Sequence, residues 1–395
     1  MLRIQNIRYL FLLLLLATTA LSYLPVFANV VILEKGQNPL NRYIVLLSII
    51  TFLLHLDYKK WIRNGFLKLF LICTLICLLI GYLLQQMEIN SRYFFEGRNI
   101  LISFVFLAIG YNSRMTLKML GGLVLIFSIA IGYATYLQLF QHAGGFVITD
   151  QYISYGKNIM GMMCVSASLA LAFLAMNGKN KVIKYVLWGA SIFLFILTVA
   201  IRARGSFISL LLVVVFIVYK LLKDGKKSNE RIYRIVFLIL GMIIVSFVFT
   251  DAFRSFGDFF MSSLYKNREE DLLTGRGSIN NYALSFFERN PLFGSLSEDM
   301  DMTSLVHNFL LRQLASFGII GSFPIVLLYI YMLFYIVKVS LKSSVNITNI
   351  GFFVFLLQLI ISLVEPTFPF APGTGVVFSY ILLGYSLYQR SIIIE

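Results

Sequence analysis

The stretch FLLLLLATTALSYLPVFANV, Phe11 to Val30, has no charged side chain across its whole length. About 20 mostly apolar residues are what a helix needs to cross the hydrocarbon of a bilayer. Two arginines, Arg3 and Arg8, stand just before it. A basic start followed by an apolar run also describes a secretory leader, and Val26–Phe27–Ala28 resembles a small-residue cleavage site. The apolar run is long for a leader, and its removal would leave an odd number of spans. We read it as a retained anchor.

The same pattern recurs along the chain. With the first run at 9–30, apolar segments lie near 42–56, 69–84, 98–112, 119–140, 159–177, 185–201, 205–222, 235–250, 308–337, 349–365 and 376–389. Composition agrees: 59% of residues are hydrophobic and 13% charged, about half the charged share of a soluble domain. A core of this size cannot hide so much apolar side chain from water, so the remainder faces lipid. Within hydrocarbon every backbone N–H and C=O must be paired internally, which leaves helices or closed barrels. Dense Leu, Ile and Phe runs without period-2 polar alternation exclude a barrel. The expected fold is therefore all-α, a single transmembrane domain over residues 1–395 with about twelve spans and both termini cytoplasmic.

Charge sets that orientation. The ends assigned to the cytoplasm hold 20 basic and four acidic residues, and the opposite ends hold 13 basic and 14 acidic, within a net charge of +15. This is the positive-inside distribution. It explains the basic balance through anionic inner-leaflet lipid rather than nucleic acid. Cys73, Cys77 and Cys164 all fall within spans, so neither a structural disulfide nor a metal site is expected from them.

Most connections are short, but residues 251–306 form one long loop on the outer side, with nine acidic residues and five basic ones. Long loops in compact proteins are usually functional. Inside it Ile279, Tyr282, Ala283, Phe286 and Phe287 recur at helical spacing, after Gly277–Ser278 and before Asn290–Pro291. That spacing predicts a short amphipathic helix lying in the interface or packed on the spans, with Arg276 just before its start.

The spans carry almost no charge near their centres, unlike ion-coupled transporters. Arg202 and Arg204, in AIRARGSFIS, fall between the seventh and eighth spans. An arginine there either snorkels to lipid headgroups or presents its planar fork to phosphate. Two residues apart on a helix, they point about 200° apart, and Gly205 beside Arg204 admits a close neighbour. His307 opens the tenth span with Gly318 eleven positions on, nearly three full turns. The two thus share a helix face, with room at the glycine for close helix packing. A lone histidine at a membrane edge is as consistent with a simple interfacial residue.

Taken together these residues resemble the bacterial O-antigen polymerase and O-antigen ligase family, over about residues 200–320. The elements are Ala203–Arg204–Gly205, where the family commonly has serine first, then Thr274–Gly275–Arg276, Pro291–Leu292–Phe293–Gly294, and His307–Asn308 followed by Gly318. The resemblance implies a membrane glycosyltransferase that takes a glycan from undecaprenyl pyrophosphate at the outer face of the cytoplasmic membrane of a bacterium. It implies Arg204, Arg276 and Arg202 as pyrophosphate ligands and His307 as the catalytic base, without metal or cofactor. Arginines answer the growing charge on the leaving diphosphate, and a neutral imidazole of ordinary pKa, about 6.5, suits deprotonation of the acceptor hydroxyl. Expected partners are the lipid-linked donor and acceptor, membrane lipids, and flippase and chain-length regulator proteins, with no nucleic acid. Polymerase is preferred over ligase, which differs in its acceptor. A lipid-linked-glycan flippase and a non-catalytic envelope scaffold are the alternatives from other classes.

Overall fold

A computed structural model describes residues 2–27, 38–87, 92–143, 157–201, 203–223, 276–294, 306, 308–365, 368–370 and 373–394. Every regular element among them is helical: α1 Leu2–Leu21, α2 Leu40–Leu54, α3 Tyr58–Arg63, α4 Gly65–Gln86, α5 Arg92–Asn112, α6 Leu117–Ala143, α7 Lys157–Asn177, α8 Lys181–Ala200, α9 Arg204–Lys223, α10 Arg276–Arg289, α11 Phe309–Lys342, α12 Ile350–Ile361 and α13 Val377–Ile394. Six are long and apolar enough to cross a membrane by length and composition, and four shorter helices are also apolar. The expected ninth span, 235–250, lies outside the described residues, as do 251–275 and 295–305 of the long loop.

The chain forms a membrane-embedded helical bundle. α4 leaves Ile72, Leu75, Ile76, Leu79 and Leu83 exposed along one side, a stripe that water does not tolerate and lipid does. At the centre α7 and α12 are buried almost throughout. Packing there uses small residues, as helices in lipid do. Ser168 and Ser191 each donate to the other's carbonyl at 2.8 Å, joining α7 to α8. Gly110 and Gly384 let α5 and α13 cross so closely that a Cβ on either would overlap the other's backbone.

Basic residues gather at one end of the bundle. Lys220 and Lys223 close α9, and the Lys220 ammonium donates to the Leu341 carbonyl at 2.6 Å, beside Lys342. Lys60 of α3 lies over the Tyr388 ring near the end of α13.

The expected tenth span is not one straight helix. Gly318 (φ 62°, ψ −171°) breaks α11 into two arms, residues 309–317 and 319–342. Phe309 and Tyr329 are twenty residues apart, about 30 Å in a straight helix, yet their ring centroids are 5.4 Å apart. Both also reach Ser362: the Phe309 amide bonds its carbonyl at 3.0 Å, and the Tyr329 hydroxyl pairs with its hydroxyl at 2.9 Å. The first arm therefore folds back on the second. The second arm alone, about 36 Å at 1.5 Å per residue, is long enough to span.

Candidate functional site

The hairpin in α11 is held open by a turn from the long loop. Pro291–Gly294 follows α10 and seats in the break: the Ile319 amide donates to the Pro291 carbonyl at 2.8 Å, and the Ile320 amide to the Leu292 carbonyl at 3.0 Å. The first N–H groups of a helix have no partner within it, so the turn caps the second arm. Gly294 (φ 63°) lies against the Phe317 and Gly318 amides, and a Cβ on Gly318 would overlap Leu292 and Phe293 backbone. The room predicted at Gly318 thus takes a turn rather than a helix. Tyr93 braces the bend, its hydroxyl donating to the Gly321 carbonyl at 2.5 Å and its ring meeting Phe317 at 4.8 Å.

α10 begins at Arg276 itself, one residue earlier than the glycine–serine start signal suggested. Its apolar stripe packs on protein: Ala283 and Phe286 are buried, and Ala283 clusters with Val306, Ala315 and Leu311 on and before the first arm. α10 thus packs along the first arm, with its Arg289 end leading into the turn beside Gly318.

Asn308 caps the first arm. Its Oδ1 accepts from the Leu311 amide at 3.0 Å, and its Nδ2 donates to the Leu363 carbonyl at 3.2 Å. Such a cap contributes about 1 kcal/mol; here the second bond also ties it to the turn that closes α12. At the same turn, a Cβ on Gly205 would meet Val364 and Ile361 side chains at 3.3–3.4 Å. Gly205, in the Ala203–Arg204–Gly205 element, and Asn308 therefore both converge on the turn at 361–365. Arg204 is the first residue of α9, and α8 ends at Ala200. Arg202 and His307 lie outside the described residues.

This convergence is recessed within the bundle. Phe370 contacts both Phe309 at 5.7 Å and Phe70 at 6.0 Å. Phe70 is near the Gly65 end of α4, whereas Gly81, packed on Phe94 next to Tyr93, marks the level of the bend at Gly318. Those two residues of α4 are about 16 Å apart at 1.5 Å per residue. The first arm of α11 thus runs from beside Phe370 to the bend at Gly318.

Two carboxylates that the sequence reading counted only as charge are buried here. Glu96 of α5 accepts from Arg312 at 2.6 Å, with side-chain exposures of 11% and 24%. This ion pair fixes the arm one helical turn beyond Asn308. Glu365, 8% exposed, ends the turn on which the motif segments meet. A sequence signal for it existed: Glu365 is the one acidic residue between Asp301 and Glu395.

The architecture defines a membrane-embedded helical protein with a polar, recessed junction. No protein-family model matches the chain, and no curated protein matches it either.

Proposed function

We propose that this protein is a metal-independent glycosyltransferase that polymerises undecaprenyl-pyrophosphate-linked repeat units at the outer face of the bacterial cytoplasmic membrane. The supporting observation is the convergence just described: Gly205 on Val364 and Asn308 on Leu363 bring together segments a hundred residues apart. The collection of lysines at the far end of α9 and α11 supports placing that end in the cytoplasm. The junction then opens to the outer side.

In this reading the acceptor hydroxyl attacks the anomeric carbon of the donor sugar. A C–O bond forms, and the bond from that carbon to the diphosphate oxygen breaks with its electron pair. The hydroxyl proton passes to His307. Arg204 and Arg276 stabilise the charge gathering on the diphosphate, in a recess where such interactions are stronger than in water. Purified protein in nanodiscs, supplied with lipid-linked repeat units, should build a ladder of longer glycans in the presence of EDTA. Growth only on a lipid A core acceptor would make it a ligase, and no transfer to either acceptor would refute the proposal.

A further inference from the structure

Several elements meet around Asp57 at the basic end of the bundle. The Tyr9 hydroxyl of α1 donates to the Met119 carbonyl of α6 at 2.9 Å. Asn112 Nδ2, at the end of α5, donates to the His55 carbonyl at the end of α2, also at 2.9 Å. These bonds set the start of α1, the end of α2 and the α5–α6 turn side by side. Asp57 pairs with Lys60 of α3 at 3.3 Å and with Arg114 of that turn at 3.9 Å. Arg114 holds φ 48°, a region costly for a residue with a Cβ. Arg8 of α1 stands within electrostatic reach of His55, and its Nε is buried with no hydrogen-bond partner among the described residues. A guanidinium nitrogen withdrawn from water without an acceptor is costly. The corner therefore stays cationic after Asp57 is counted, because that one carboxylate is already shared by Lys60 and Arg114.

We propose that this corner binds the phosphate of an anionic phospholipid, held by Arg8 and Arg114 with Lys60 beside them. The guanidinium fork matches phosphate oxygens. Selection of a lipid over free phosphate comes from α3. Trp61 anchors that helix inward, its ring meeting Phe52 and Phe104 at 5.6 Å each. Tyr58 and Ile62 are exposed, and so are Lys59 and Arg63. Residues four apart on a helix are offset by only about 40°, so the apolar pair and the cationic pair form adjacent stripes. Such a surface lies in a membrane interface, with its apolar stripe among acyl chains and its cations among headgroups. Lys59 and Arg63 meet no acidic partner among the described residues. The site is separate from the junction at 361–365 and does not depend on the transfer chemistry.

Native mass spectrometry of the full-length protein in neutral detergent tests this, with phosphatidylglycerol, phosphatidylcholine and inorganic phosphate as probes. Wild type should bind phosphatidylglycerol about tenfold more tightly than phosphatidylcholine, and equimolar inorganic phosphate should not displace it. Arg8→Gln combined with Arg114→Gln should weaken phosphatidylglycerol binding by about tenfold or more, the effect of two cations beside an anionic headgroup. Lys179→Gln combined with Lys181→Gln removes the same charge from the α7–α8 turn at the same end, and should change binding by less than about twofold. Equal losses from the two pairs would show diffuse attraction to the whole basic end and overturn the site. Equal binding of the two phospholipids by wild type would overturn it as well. Displacement by equimolar inorganic phosphate would overturn the lipid as its ligand. If the double arginine variant does not fold, Lys59→Gln combined with Arg63→Gln, both exposed, takes its place in the same comparison with the same expected loss.

Discussion

Gly294 and Gly318 meet backbone to backbone, each at a positive φ, and their contact joins the long loop to the bend of α11. Neither position admits a side chain. The consequence is that α10, the Pro291–Gly294 turn and the first arm of α11 are mechanically one unit.

Gly318→Ala should therefore destabilise the protein. Its φ/ψ combination is essentially restricted to glycine and costs other residues on the order of 1–3 kcal/mol, and the added Cβ also overlaps the Leu292–Phe293 backbone. Gly189→Ala is the control, since nothing lies within 4 Å of a Cβ there and alanine is the better helix former by up to about 1 kcal/mol. Thermal unfolding in detergent should show a clear drop for Gly318→Ala and none for Gly189→Ala. Equal midpoints would contradict the wedge.

The fold-back of α11 is open to a distance measurement. Spin labels at Leu310 and Ile330, after replacement of Cys73, Cys77 and Cys164, should lie within about 20 Å. A continuous helix would separate those positions by about 30 Å, and a distribution centred there would contradict the hairpin.

The all-helical, lipid-facing character was legible in the sequence, because an uncharged run such as Leu69–Leu84, which lies within α4, pairs its backbone in hydrocarbon as a helix. The helix around Ala283 and Phe286 was legible too, from its spacing. The hairpin was not: Phe309–Lys342 is apolar throughout, and hydropathy does not distinguish one long helix from two arms folded at a glycine. Gly318 was identified as a point of close approach, but its partner was a turn, and only tertiary contact selects between the two. Convergence on Ile361–Glu365 was illegible because it depends on where α12 ends, and Glu365 drew no notice as a lone charge after an apolar span.

The proposed orientation rests on the charge distribution. Cysteines introduced at Ser262 and Ser297 in a cysteine-free protein should react with a membrane-impermeant maleimide in intact spheroplasts. Labelling that requires permeabilisation would invert the orientation and move the junction to the cytoplasm.

Arg204→Lys should lose most transfer although the charge is kept, since an ammonium cannot reproduce the bidentate fork. The loss should appear mainly as weaker donor binding, with Arg202→Lys milder. Normal polymer from both variants at normal expression would remove the diphosphate role from this pair.

The most direct test is His307→Gln in the purified transfer assay. Glutamine can hydrogen-bond the acceptor hydroxyl but cannot take its proton at neutral pH. Loss of a general base typically costs about 10²–10⁴-fold in rate, so the account predicts that the polymer ladder collapses to single repeat units while donor binding persists. A His307→Gln protein within a few-fold of the wild-type rate would contradict it.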